Sequence, residues 1–262
     1  MIRFKFKIIA LSFSFLLTSI VPSLGAGSGG ELLKVDWSFK GLTGKFDRAS
    51  LQRGFQVYKE VCSSCHSMQY LSYRNLGETG GPEFSEQEVK AIAASIEVED
   101  GPDSQGEMFT RPGRPADKFK SPYPNVNASI AANGGAYPPD MSVLVKARPG
   151  GSNYIYSVLM GYEDPPEGVT LDDGVYYNKY MIGNKIKMSS PLSDDIVEYS
   201  DGTQATIEQM SKDVTTFLTW AAEPELEERH RTGVKVIIYL ILLTTLVYLS
   251  MKKIWSRIDT EV

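Results

Sequence analysis

The only two cysteines of the chain and one of its only two histidines fall within five consecutive residues, Cys62-Ser63-Ser64-Cys65-His66. Two thiols at this spacing, followed at once by an imidazole, form the pattern of covalent c-type haem attachment: the thiols add to the vinyl groups and the histidine offers a nitrogen to the iron. Competing readings ask for residues the chain lacks. A structural zinc site takes about four N or S ligands, and no second cysteine pair exists to complete one. A thioredoxin-like pair belongs at a strand-to-helix turn, whereas this pair closes a helical pattern and is followed by histidine. A disulfide between cysteines this close would constrain almost nothing.

The two ends of the chain place this motif in a compartment. Arg3, Lys5 and Lys7 precede an apolar run over residues 8–21 and then the small residues Ser23-Leu24-Gly25-Ala26-Gly27, the pattern of a secretory signal peptide over residues 1–25. A second charge-free apolar run, residues 236–251, is followed by Lys252, Lys253 and Arg257. Sixteen helical residues rise about 24 Å, short of a hydrocarbon core of roughly 30 Å, so the flanking lysines must snorkel or the bilayer thin. The run has no polar face and abuts a basic cluster, which favours a transmembrane anchor over a buried core helix. The expected organisation is an exported domain over 26–233, an anchor over 234–251 and a cytoplasmic tail over 252–262, in a bacterial inner membrane with the haem domain on the periplasmic side. Of 27 cations and 32 anions, three cations fall in the leader and three cations and two acids in the tail, leaving residues 26–251 at −9. Such a balance excludes nucleic acid as a partner and suits either a cationic protein or simple solubility.

Within the exported part, Leu51, Phe55, Tyr58 and Val61 or Cys62 recur at helical spacing after Asp47, so a helix delivers the motif at its C-terminal end. Gly54 inside it predicts a close approach by another helix. Trp37 and Phe39 belong to an extended lead-in that packs on the body. Ser85-x-x-Glu88 is a capping box for a helix with Val89, Ile92, Ala93 and Ile96 on one face, and Thr206-x-x-Gln209 opens an amphipathic helix that Pro224 stops. Short helices are expected over 141–147 and 153–160, a hairpin turn at Asp201-Gly202, and only loop over the Pro- and Gly-dense stretch 101–139. The fold class is mainly α: a cytochrome c-like haem domain with long loop insertions, plus one C-terminal transmembrane helix.

An iron that only passes electrons needs a sixth ligand. His230 lies beside the apolar run in a Glu/Arg-rich juncture, where an interfacial role is ordinary, so a methionine is the natural choice. Met68 is too close to His66, Met251 lies in the apolar run, and Met141, Met160 and Met210 fit helices as packing residues, which leaves Met108, Met181 and Met188. In small c-type cytochromes the ligand lies on a loop shortly before the C-terminal helix; Met188, in Lys187-Met188-Ser189-Ser190-Pro191, occupies that place, with Met181 next.

The segment Arg53-Gly54-Phe55-x-Val57-Tyr58-x-Glu60-Val61-Cys62-Ser63-x-Cys65-His66-Ser67 resembles the haem-binding segment of cytochrome c1, the haem subunit of the cytochrome bc1 complex. Asn133-Gly134-Gly135-Ala136-Tyr137-Pro138-Pro139-Asp140-Met141-Ser142, with Ala147-Arg148 after it, is similar to that family's haem-wall loop, and Trp220-Ala221-Ala222-Glu223-Pro224 to the end of its last helix before the anchor. The resemblance implies one covalent haem c on Cys62 and Cys65, with His66 and Met188 on the iron. It further implies that Arg148 pairs with a propionate, that Tyr154 neighbours it, and that Asn133, Pro138 and Pro139 line the haem. Some bacterial relatives clip a loop with an extra disulfide; this chain has no cysteine for one, so the loop near Met188 is held another way, with Asp164-Pro165-Pro166 the candidate.

The implied function is an electron-transfer subunit of ubiquinol-cytochrome c oxidoreductase, not an enzyme on its own. It would sit beside cytochrome b, take electrons from the Rieske iron-sulfur protein and pass them to a soluble or tethered cytochrome c. The acidic segments 97–103, Glu163-Asp164 and Asp172-Asp173 are candidates for steering a basic acceptor. The alternatives are a peroxidase-like haem enzyme and an anchored haem sensor, each with an exchangeable sixth position.

Overall fold

The computed structural model describes residues 30–258; the leader read over residues 1–25 and positions 259–262 of the tail lie outside the described residues. Helix α1 (Arg48–Glu60) starts where Asp47 accepts the Ser50 N–H at 2.9 Å, and it buries Leu51, Phe55 and Tyr58 as their spacing predicts. Its main partner is the C-terminal helix of the domain, Ile207–Ala222, capped by Thr206 as the sequence predicts. The two cross at Gly54, where a Cβ would overlap the Asp213 carbonyl, so only glycine admits this approach.

The crossing holds a buried charge. Asp213 is fully buried and accepts from Ser50 Oγ at 2.6 Å, from Arg53 Nε at 2.8 Å and Nη2 at 3.2 Å, and from Gln209 Nε2 at 2.9 Å. Arg53 reaches outward to Asp201 at 2.7 Å, so the guanidinium bridges an interior and a surface carboxylate. Around this crossing Phe55 meets Phe84, Phe119 and Phe217, and Tyr73 stacks on Phe119 at 4.8 Å. Trp37 and Phe39 are buried in the same core, and Trp37 Nε1 donates to Asn153 Oδ1 at 2.7 Å.

Helix α2 (Glu86–Ala94) carries the reciprocal Ser85–Glu88 cap and buries Val89 and Ala93. The stretch 101–139, expected as loop throughout, contains regular structure. Strand β1 (Glu97–Asp100) pairs antiparallel with β2 (Phe109–Pro112), and α3 (Val126–Ala132) starts where Asn125 accepts the Ala128 N–H at 2.9 Å. Side chains make the hairpin possible: Arg111 binds Asp100 and, at 2.7 Å, Asp117, while Asp103 accepts the Gln105 and Glu107 N–H groups inside the turn.

Helix α4 (Ser152–Met160) ends at Gly161 as predicted, but residues 141–147 form successive turns instead of a helix. Asp140 accepts the Ser142 N–H at 2.9 Å, giving the backbone a side-chain partner that competes with helical bonding. Asp201-Gly202 does turn, with Gly202 at φ 77°, yet no strands flank it: Asp201 is committed to Arg53 and the Thr203 N–H. A small antiparallel pair, β3 (Tyr176–Tyr177) with β4 (Lys185–Ile186), precedes Met188, and α5 is the 207–222 helix already described.

Helix α6 (Leu226–Ile258) is 33 residues long and is the one helix among the described residues long and apolar enough to cross a membrane. At about 1.5 Å per residue it rises roughly 50 Å, so the apolar run 236–251 lies inside one continuous helix, with Lys235 and Lys252 at the two ends of the run. Its root is fastened to the domain. Glu227 accepts from Arg48 at 2.7 and 2.8 Å and from the Phe46 N–H at 2.8 Å, Leu226 is buried, and His230 Nδ1 lies 3.0 Å from the Gly44 carbonyl.

Candidate haem site

Helix α1 stops at Glu60 and the chain tightens into a 3-10 turn over Cys62–Ser64. The Cys62 carbonyl accepts the N–H groups of both Cys65, at 3.2 Å, and His66, at 2.9 Å, which keeps all three residues on one compact coil. The cysteines form no disulfide with each other. Burial, reinforced by Cys65, pushes the Cys62 thiol up to about 12, so it stays protonated.

His66 is 8% exposed, and its Nδ1 lies 2.8 Å from the Pro139 carbonyl oxygen. A carbonyl only accepts, so Nδ1 carries the proton and the lone pair sits on Nε2, the tautomer of a metal-ligating imidazole. Burial lowers the His66 pKa, against smaller raising effects from the Pro139 bond and from Asp140, and so keeps the ring neutral.

Asp140 fastens the Pro139 loop to the motif. Its carboxylate accepts from Ser67 Oγ at 2.7 Å, the Gln69 N–H at 3.0 Å and the Ser142 N–H at 2.9 Å. The Met141 N–H donates to the Ser67 carbonyl at 2.8 Å and the Tyr70 N–H to Ser142 Oγ at 3.1 Å. Burial raises the Asp140 pKa, but the donors from Ser142, Ser67 and Gln69 outweigh it and hold the group below its ordinary value.

An open groove beside the motif is lined by Cys65, Ser67, Gln69, Ser129, Tyr137 and Pro138. Asn133 ends α3 with its Nδ2 on the Ser129 carbonyl at 2.7 Å, and Pro138 and Pro139 are half-buried. Arg148 is exposed and, among the described residues, donates only to the neighbouring Ala147 carbonyl at 3.1 Å. Tyr154 donates to Met181 Sδ at 3.1 Å, which gives that sulfur a partner within the protein. Met188 is half-buried, with its carbonyl accepting from Tyr162 Oη at 3.1 Å. Met108, the third sulfur left open by the sequence, is 55% exposed beyond the β1–β2 pair.

The structure thus brings His66, Pro139 and Pro138 to one place. No hydrogen bond among the described residues ties Arg148, Tyr154 or Met188 to the motif. Sequence reasoning missed Asp140, Tyr162 and Asn178 as supports; only Asp140 carried a signal, since Asp-x-Ser beside a Pro-Pro pair favours a side-chain-closed turn.

Two unpaired thiols and a neutral, oriented imidazole on one turn fit haem c, and comparison with known proteins agrees. The Cytochrome C1 family matches residues 37–258. The chain belongs to that family. A Rhodospirillum rubrum protein named cytochrome c1 is 46% identical over 266 residues, covering 95% of this chain and 97% of that one. A mitochondrial cytochrome c1 heme protein of Solanum tuberosum is 53% identical over 217 residues, covering 83% and 82%. A Bradyrhizobium diazoefficiens protein named cytochrome b/c1 is 51% identical over 239 residues; the match takes in 84% of this chain but 35% of that longer protein. Membership makes this chain a mainly helical, membrane-anchored electron-transfer subunit of a bc1 oxidoreductase complex, carrying one covalently bound haem c.

Proposed function

We propose that this subunit takes electrons one at a time from the Rieske iron-sulfur protein and passes them to a soluble or tethered cytochrome c, beside cytochrome b and without bond-making chemistry of its own. The observation that carries this reading is the His66 ring, buried, neutral and aimed by the Pro139 carbonyl, one residue after Cys65. The haem supplies a one-electron couple when bound. His66 would hold one axial position and Met188 the other, so that no open site binds small molecules. Arg148, without a carboxylate partner among the described residues, suits a bidentate contact with a propionate; Tyr154 would neighbour it, and Asn133, Pro138 and Pro139 would exclude water.

The haem domain, over 26–233, would face the periplasm, delivered by the leader over 1–25. Residues 234–251 would cross a bacterial inner membrane and leave 252–262 in the cytoplasm. Of the acidic segments, Glu163, Asp164, Asp172 and Asp173 are exposed on the stretch leading to β3, whereas Asp100 and Asp103 brace the β1–β2 hairpin. Exposed acids without structural duties are the ones suited to steer a basic acceptor.

Met188→Ala tests the ligand assignment and the carrier reading together. The variant should lose the Met-to-iron charge-transfer band, show a lowered potential and bind CO. Ready CO binding by the unaltered protein would instead point to a peroxidase-like enzyme or sensor. Copurification with a b-type cytochrome and an iron-sulfur protein checks the partners.

A further inference from the structure

The segment that leads to Met188 has no covalent clip, and Asp164-Pro165-Pro166, the candidate brace from the sequence, is exposed along with its neighbours over 163–170. Two other residues converge there. Tyr162 donates its hydroxyl to the Met188 carbonyl at 3.1 Å across 26 positions of sequence. The phenol is half-buried.

Tyr162 is itself fixed by Asn178. The two residues form an antiparallel bridge, and the Lys179 N–H donates to the Gly161 carbonyl at 2.9 Å. Asn178 is fully buried: its Nδ2 donates to Val158 O at 2.8 Å, and its Oδ1 accepts from the N–H groups of Tyr180 and Met181 at 3.1 and 3.2 Å. Its own N–H donates to the Asn184 carbonyl at 3.1 Å, across the turn in which Gly183 and Asn184 have φ 79° and 56°. One end of this connected set is the C-terminus of α4, packed on α5, and the other is the Met188 main chain.

We propose that Tyr162, seated by Asn178, is a positioning residue that holds the Met188 loop in the ligating arrangement, a non-covalent clasp on the sixth-ligand side. This inference rests on Met188 being that ligand. Loss of one neutral hydrogen bond would shift a bound-to-released equilibrium by about five- to tenfold.

The test uses the full-length holoprotein extracted from membranes, with Tyr162→Phe, which removes one oxygen and keeps the ring, beside Met188→Ala. Three readouts are compared: the Met-to-iron charge-transfer band against temperature, the fraction binding CO, and the helical signal against temperature. The clasp predicts that Tyr162→Phe keeps the band at low temperature, loses it while the helices remain intact, and binds CO about five- to tenfold more than wild type. If Met188→Ala abolishes the band while Tyr162→Phe matches wild type in band and CO binding, or loses band and helices together at a lowered temperature, the clasp is overturned and the ligand assignment stands. If Met188→Ala keeps the band, both fall.

Discussion

The two sides of the proposed haem site are built on different principles. On the His66 side, a capped helix, a 3-10 turn and a loop joined by a carboxylate with three donors act within a few ångströms of the motif. On the Met188 side, a half-buried residue follows a two-residue strand and a turn with two positive φ angles, and its carbonyl rests on one phenol. The first side resists motion because many short-range contacts must break together. The second can yield locally without disturbing the core, and local yielding is drawn from such sparsely braced segments.

The largest test of this contrast strikes the foundation of the rigid side. Asp213→Ala would strand Arg53 against the α1–α5 crossing with its interior partner gone, at a cost of about 3 kcal/mol. The denaturant midpoint of the holoprotein should fall accordingly, with haem attachment retained. A change within experimental error would mean that Asp201 alone satisfies Arg53 and that the crossing is held by Gly54 and the aromatic residues.

A smaller effect should come from Asp140. In Asp140→Asn one acceptor oxygen becomes a donor, so at least one of the Ser67, Gln69 and Ser142 bonds is lost, for about 1–2 kcal/mol. The wild-type contribution also has a definite pH dependence. The folded-state pKa of Asp140 is depressed, so its stabilisation is present above the unfolded value, about 4, and lost as pH falls through the lower folded value. Protection of the Gln69 and Ser142 amides, measured against their intrinsic exchange rates, should therefore fall below pH ~4 in wild type and show no such step in Asp140→Asn. The Tyr162–Met188 contact is made by a phenol and a carbonyl, so acid should loosen the His66 loop before the Met188 loop.

The same contrast explains what could be read from the sequence. Helix starts were legible because the signals are local: Asp47 before α1, Ser85 with Glu88 before α2, and Thr206 with Gln209 before α5. So were the attachment motif and Gly54, whose cost in a helix interior demands a packing reason. The β1–β2 hairpin was hidden because Asp117, outside both strands, stabilises it by holding Arg111 of β2, against a composition that favours loop. Residues 141–147 turn instead of forming the expected helix because the Asp140 carboxylate reaches back to Ser67 and Gln69 as well as to the Ser142 N–H, contacts no local pattern announces. Nothing local marks Tyr162, whose partner lies 26 positions away, and the Asn178 Nδ2 bond that ties the loop to Val158 spans 20.

The smallest effect is the one that separates backbone from side chain. Pro139 meets His66 through its carbonyl, an atom every residue carries, so Pro139→Ala keeps the acceptor at Nδ1 and the tautomer it selects. Proline contributes a fixed φ and the absence of a donor, and losing that restriction costs less than about 1 kcal/mol, largely through the unfolded chain. With Asp140 still holding the loop to Ser67 and Gln69, the carbonyl has little freedom to leave the imidazole. The midpoint potential of Pro139→Ala should therefore stay close to wild type, while the Asp140→Asn, Pro139→Ala double variant should shift it by more than the two single changes combined. Simple additivity would show that ring orientation comes from the His66 turn alone, and the difference between the two sides would then lie in the helix that delivers the motif, not in the loop that closes over it.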